Sequence, residues 1–287
     1  MYEMQNYEPQ VVTQKSVNAE MMVSRQALEV QAAMVVAKKF PRDEAVSETR
    51  IMNACKRRSL AEQATYEYPR GTETVTGPSI RLAEVIAQNW GNIDFGITEL
   101  EQKNGESTVM AYCWDLETNT RQTKNFTVPH IRSTKNGSKV LTDPRDIYEL
   151  VANQGARRLR ACILGIVPGD IVESAVTACR KTLAGGGGKP FAERVDACIN
   201  LFREQYGVPK ESLEKYIGMN TNGWTEQTLV RLAAVNTSLK NGIADLTQFF
   251  ELLDAAPMNV NPETGEVIEE STAPAGGDGK GLDFNAL

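Results

Sequence analysis

Side chains that break or make covalent bonds work in small clusters, and this chain holds few of the needed types. It has one histidine, His130, beside Pro129 in a polar stretch. A general base needs a nucleophile and an orienting acid, and no such triad is legible around it. His130 therefore reads as a polar loop residue or a phosphate contact. Zinc needs Cys and His at ligand spacing, but Cys55, Cys113, Cys162, Cys179 and Cys198 are scattered without a CxxC pair. They read as reduced, buried thiols, and no structural metal is expected. Asp94, Asp115, Asp143 and Asp146 are carboxylates of the kind that could hold magnesium in a nuclease, yet without a motif they read as surface and capping residues. Ala184-Gly-Gly-Gly-Gly-Lys189-Pro190 superficially resembles a phosphate loop. It has the wrong first spacing, Pro where Ser or Thr would meet magnesium, and a helix before it instead of a strand. It reads as a flexible linker. The expectation is a protein without catalytic residues, metal or cofactor.

Binding chemistry is better represented. Lys56, Arg57 and Arg58 form one basic cluster, and Arg157, Arg158 and Arg160 a second. Arg81, Lys124, Arg132, Lys135 and Lys139 add to them. Alone, each is an ordinary solvated or salt-bridged cation; together, beside strands bearing Phe95, Tyr112, Trp114 and Phe126, they suit a groove that tracks a phosphate backbone. Tyr112, Trp114 and Phe126 are the candidates for stacking on bases, although most such aromatics serve the core. The net charge of −6 argues against nucleic acid only as an average. Residues 1–187 carry 23 Lys and Arg against 22 Asp and Glu, while residues 188–287 carry 8 against 15. The acidity belongs to the C-terminal part.

The elements that must position these residues follow from periodicity. Met22, Gln26, Val30, Ala33 and Ala37 recur at helical spacing and predict a long amphipathic helix over 19–40, ended by Pro41. A second helix is expected over 43–63, then a loop at 66–71, then a helix that starts at Gly77-Pro78-Ser79 and stops at Gly91-Asn92. Ile93–Ile97, Val109–Trp114 and Phe126–Val128 alternate with period two around Asn104-Gly105 and Glu117-Thr118-Asn119, which predicts an antiparallel meander. A basic loop over 130–142 and a helix over 144–165 follow. In that helix Tyr148, Val151, Ala152, Gly155, Leu159, Cys162 and Ile163 form the expected buried stripe, with the arginines on other faces. A last helix over 170–183 closes the unit. The expected fold class is α+β, a β-meander packed on helices within residues 1–183. A linker at 184–189, a helical module at 190–254 and a disordered acidic tail at 255–287 complete the division. No apolar run long enough for a bilayer and no signal peptide are visible, so a cytoplasmic protein is expected.

The order of helix, Gly-Pro-Ser loop, helix, meander, basic loop and Arg-rich helix resembles the core of the single-strand annealing superfamily. That superfamily includes the phage RecT, Redβ and Erf types and the ring-forming eukaryotic annealer. Gln154-Gly-Ala-Arg-Arg-Leu-Arg160, following the meander, is similar to the eukaryotic type's helix, in which Gly precedes paired basic residues that grip DNA. Residues 77–183 carry the resemblance. Arg157 and Arg158 match the pair, and Arg160 falls one place before the family's next basic residue. Lys210–Gly218, Trp224-Thr-Glu and Leu232–Gly242 resemble small C-terminal modules of phage recombination proteins, and Asn261–Val267 resembles their tails. The resemblance implies an ATP-independent recombinase in phage homologous recombination and DNA repair, acting in the bacterial host cell. It would bind single-stranded DNA and the annealed duplex intermediate as a homo-oligomeric ring or filament. A phage 5′-exonuclease and the host single-strand-binding protein would be recruited through residues 190–254. The rival readings are a metal-dependent nuclease and a single-strand-binding accessory protein that does not anneal.

Overall fold

The computed structural model describes residues 17–134 and 137–250. Lys135 and the expected tail at 255–287 lie outside the described residues.

The fold is α+β. Helix α1 (Val17–Lys39) leads to α2 (Glu44–Cys55), which Asp43 caps by accepting from the Val46 amide. The single helix expected over 43–63 is broken: Arg57 is extended, at ψ 121°, and a one-turn α3 (Arg58–Ala61) begins after it. The Lys56-Arg57-Arg58 cluster thus sits at a break and presents its cations in different directions. The loop expected at 66–71 is instead a hairpin of β1 (Thr65–Arg70) and β2 (Glu73–Pro78). Ser79 starts α4 (Ile80–Trp90): its buried hydroxyl accepts from the Leu82 amide and donates to the Gln63 carbonyl.

The meander forms as expected. Strands β3 (Ile93–Lys103), β4 (Glu106–Asp115) and β5 (Thr120–Pro129) pair antiparallel in the order β3-β4-β5. A short hairpin of β6 (Ile131–Thr134) and β7 (Gly137–Val140) replaces the expected basic loop. Then comes α5 (Pro144–Leu164), capped by Asp143 and opened by proline, followed by α6 (Gly169–Ala184). The C-terminal part contains α7 (Phe191–Tyr206), α8 (Lys210–Ile217), α9 (Glu226–Lys240) and the short α10 (Leu246–Phe249).

Helix α5 lies against one face of the meander, α4 packs on α5, and α2 and α6 pack on α4 and on each other. Ile51, Leu82, Ile86, Ile163 and the thiols of Cys55, Cys113, Cys162 and Cys179 fill this core. Each fully buried Leu or Ile there contributes about 1.5–3 kcal/mol. Two expected details are corrected. Tyr148, placed in the buried stripe of α5, is 72% exposed, one turn before Val151, where the buried stripe begins. Among the described side chains of α1 the expected stripe is only partly buried: Ala37 is buried and Val30 and Ala33 are half-buried, whereas Gln26, Leu28, Val35 and Val36 face solvent.

A second core gathers Phe202, Val208, Leu213, Leu232, Phe249 and Phe250, with Tyr68 of the hairpin packed against it. Val230 of α9 reaches into the first core. The glycine run is therefore not a free tether. Gly186–Gly188 form a tight 3-10 turn with all three residues at positive φ, and Gly186 is buried. Glu67 of β1 ties the two parts together. Its buried carboxylate accepts from Arg231 at 2.5 Å and Tyr216 at 2.8 Å, and its backbone amide and carbonyl both bond the Ser238 hydroxyl.

Candidate nucleic-acid interface

Alternation along β4 gives the meander two faces. Val109, Ala111 and Cys113 are buried under α5, while Met110, Tyr112 and Trp114 point the other way and are half-buried. Residues opposite each other share a face, so the register Trp114↔Arg121 and Tyr112↔Thr123 continues that outer face onto β5. There the Arg121 guanidinium lies 5.2 Å from the Trp114 ring centroid and 5.4 Å from that of Tyr112. The Trp114 indole donates to Asn119 and the Tyr112 hydroxyl to Asp94, which fixes both rings edgewise. Burial and the neighbouring Asp94 raise the Tyr112 pKa, so the phenol stays neutral. Thr98, Arg121, Thr123 and Asn125 are exposed beside them. The arrangement is an aromatic and guanidinium platform on an open sheet, a geometry suited to stacking bases. Arg121 was missing from the sequence-derived set; its place opposite Trp114 was readable once the turn at 117–119 fixed the register.

Phe126 does not join that platform. It faces α5 with Val109 and Val151, and the Arg158 guanidinium covers it at 4.6 Å. The half-buried ring is thus turned toward the helix, on the opposite side of the sheet from Tyr112 and Trp114. Lys124 lies on the same side of β5, exposed at the sheet edge.

The arginines of α5 reach three different neighbours, and each has structural work. Arg157 donates to the Gly242 carbonyl beyond α9. Arg158 donates to Gln154 while burial and the adjacent Arg157 lower its pKa. Arg160 stacks on Tyr66 of the first hairpin at 4.4 Å. All three remain half-buried, with the guanidiniums only partly spent. Elsewhere, Arg57 and Arg81 line one shallow depression with Gln63 and Gln88. Arg81 pairs with Glu84, Arg58 with Glu62, and Lys56 donates to Asn53. Arg132 and Lys139 are cross-strand neighbours on the exposed β6-β7 hairpin, and Arg132 stands 3.8 Å from Asp146. The single groove expected from the sequence is thus three separate basic patches plus the outer-face platform.

No family model, curated protein or solved structure matches the chain. The interface is read from its own chemistry.

The remaining candidates have other roles. His130 is buried, not in a loop open to phosphate. Its Nε2 bonds the buried Ser107 hydroxyl at 2.8 Å, and its backbone bonds Gly105 and Leu141, closing the base of the β6-β7 hairpin. Asp115 and Glu117 hold Arg42 at 2.5 and 2.9 Å, and Arg42 in turn covers Trp90 at 5.3 Å. Partial burial opposes ionisation of Glu117, but hydrogen bonds from Asn92 and from Arg42 prevail and hold its carboxyl below the usual range. Asp143 caps α5. Among the described residues no group of three or more His, Cys, Asp or Glu is gathered at metal-ligand distance. No single helix among them is long and apolar enough to cross a membrane.

Proposed function

We propose that this protein binds single-stranded DNA without sequence preference and anneals complementary strands without ATP, working as a homo-oligomeric ring or filament in phage recombination. The observation that carries the reading is the outer sheet face, where the Arg121 guanidinium lies over the half-buried rings of Tyr112 and Trp114 beside the exposed Thr98, Thr123 and Asn125. Every base has a π-face, so aromatic and guanidinium planes hold a strand regardless of sequence. Lys124 and Arg158, at the β5 edge, supply cations for phosphates. Base pairing with the complement then provides the free energy for annealing. The C-terminal helices, which the resemblance assigns to exonuclease and single-strand-binding protein partners, are also fastened to the core through Glu67.

Two substitutions separate stacking from charge. Trp114→Ala should weaken binding of a fluorescent oligonucleotide by roughly 5–150-fold, the worth of about 1–3 kcal/mol of stacking, without changing the salt slope. Arg121→Gln should reduce the slope of log K against log salt by about 0.7. Mixing complementary oligonucleotides tests annealing: the protein should accelerate duplex formation, and both variants should lose that acceleration. Unchanged binding in both variants refutes the platform. Slowed pairing by the parent protein refutes annealing, and strand cleavage in magnesium refutes the non-enzymatic reading.

A further inference from the structure

Helix α1 has 23 residues, about 35 Å at 1.5 Å per residue, yet among the described residues it makes no extensive contact with any other element. Its end is fastened where Asn92 donates to the Phe40 carbonyl at 2.9 Å. What burial it has lies on one side, with Ala37 buried and Val30, Ala33 and Met34 half-buried. The other side carries Met21 and Leu28, each 62% exposed, and Val35, 65% exposed. These three recur every seven residues. At about 100° per residue they stay within roughly 40° of one line, and Leu28 and Val35 stand roughly 200° round the axis from Val30 and Ala37. A row of apolar residues at heptad spacing is the seam by which one helix meets another. A helix that leaves such a row in water is marginal by itself and calls for a partner.

The charges beside the row select that partner. Arg25 and Glu29 flank it, with side chains 81% and 60% exposed. Two copies of α1 laid antiparallel, with Leu28 on the two-fold axis, set Met21 of each at the level of Val35 of the other. The axis keeps the charged flanks of both helices on one side of the pair. Arg25 of one copy then stands two residues along the axis, about 3 Å, from Glu29 of the other, and the same contact forms in reverse. Lys38 and Lys39 go to opposite ends. A parallel pair would instead bring Arg25, Lys38 and Lys39 to the levels of their own copies, like charge to like. The row and its flank are thus complementary to themselves in the antiparallel arrangement, as a two-fold contact requires.

We propose that α1 is a self-association surface whose partner is α1 of a second copy, packed antiparallel with Leu28 against Leu28, Met21 against Val35 and Arg25 beside Glu29. The contact joins two copies about a two-fold axis and stops there, as isologous contacts do. Head-to-tail contacts of a ring or filament come from other surfaces. The α1 pair does not depend on the DNA-binding reading.

Single cysteines in the full chain, oxidised with diamide in the absence of DNA, test the register, with the parent chain giving the background of the native thiols. Leu28→Cys should yield a disulfide-linked dimer on non-reducing gels. Met21→Cys alone and Val35→Cys alone should not, because two copies of either residue stand about 21 Å apart along the axis, whereas a disulfide needs Cα atoms within about 7 Å. Mixed together, those two chains should cross-link. Placed on the Leu28→Cys chain, Arg25→Glu or Glu29→Arg should each slow the cross-link several-fold, and mixing the two should restore it. All these side chains are exposed, so the variants should fold. If Leu28→Cys gives no dimer, or Met21→Cys or Val35→Cys alone links as well, the antiparallel self-contact is wrong. A charge mixture that links no faster than its parts overturns the choice of a second copy as partner. A chain that cross-links in this pattern but binds no strand supports the contact and refutes only the proposed function.

Discussion

Replacing Arg231 by methionine tests whether the two cores unfold as one. Arg231 on α9 bonds Glu67 on β1 across 164 residues of chain. The Glu67 side chain is 7% exposed and that of Arg231 38%. Breaking a fully buried pair from one side costs about 3–5 kcal/mol because the remaining charge stays desolvated, whereas an exposed pair is worth about 0–1 kcal/mol. The half-open arginine puts this pair between those limits. Glu67 also keeps the Tyr216 hydroxyl, so the expected loss is about 2 kcal/mol. For a chain of this size that lowers the thermal midpoint by about 4–8 °C. The double variant Glu67→Gln with Arg231→Met should regain about half of the loss, because no buried charge is left unpaired. Scanning calorimetry of the full chain, with denaturant titration followed by tryptophan fluorescence, reads both quantities. Trp90 reports the first core and Trp224 the second. Two separate transitions, of which only one moves, would show that the hairpin and α9 do not couple the cores. A loss below about 0.5 kcal/mol, the level of surface substitutions, would show that the carboxylate is effectively hydrated.

Alkaline pH should act on the same junction. Burial raises the phenol pKa values of Tyr112, Tyr206 and Tyr216, with Glu67 adding to the rise at Tyr216. Above about pH 10 the unfolded chain therefore loses these protons first, so stability falls as pH rises; denaturant midpoints between pH 8 and 11 should show it, and Tyr216→Phe should flatten the slope. At Gly155, a Cβ would lie 2.8 Å from Ile97 Cδ1. Gly155→Ala gains about 1 kcal/mol of helix propensity but loses about 1–3 kcal/mol to crowding, and adding Ile97→Ala should restore stability in urea titrations. Ser79→Ala removes the α4 cap and leaves the Gln63 carbonyl without its donor. A loss of about 2 kcal/mol is expected by the same assay.

Much of the local structure was legible in the sequence because it is set by neighbours along the chain. Period two with Asn104-Gly105 and Asn119 at the turns fixed the meander, and Ser79, Asp143 and Pro144 marked helix starts. The α+β class followed from the same patterns, and of the five cysteines read as buried thiols from their scatter, Cys55, Cys113, Cys162 and Cys179 are buried and Cys198 is half-buried. The first hairpin was hidden because its buried carboxylate, Glu67, and Pro69 both read as loop residues. Only Arg231, Tyr216 and Ser238, far along the chain, make burial of that carboxylate affordable.

What residue types alone determined is the stock of cations and rings, and the scarcity of clustered catalytic groups. Which of them meet was decided by tertiary structure. Register and pleat put Tyr112, Trp114 and Arg121 on one open face and turned Phe126 under α5. Tertiary packing also brings Arg194 and Arg58 against Gly186 and Gly187, where the expected tether forms a turn. The reason is physical: a side chain's direction follows from its own backbone, but its surroundings come from segments that only burial brings together.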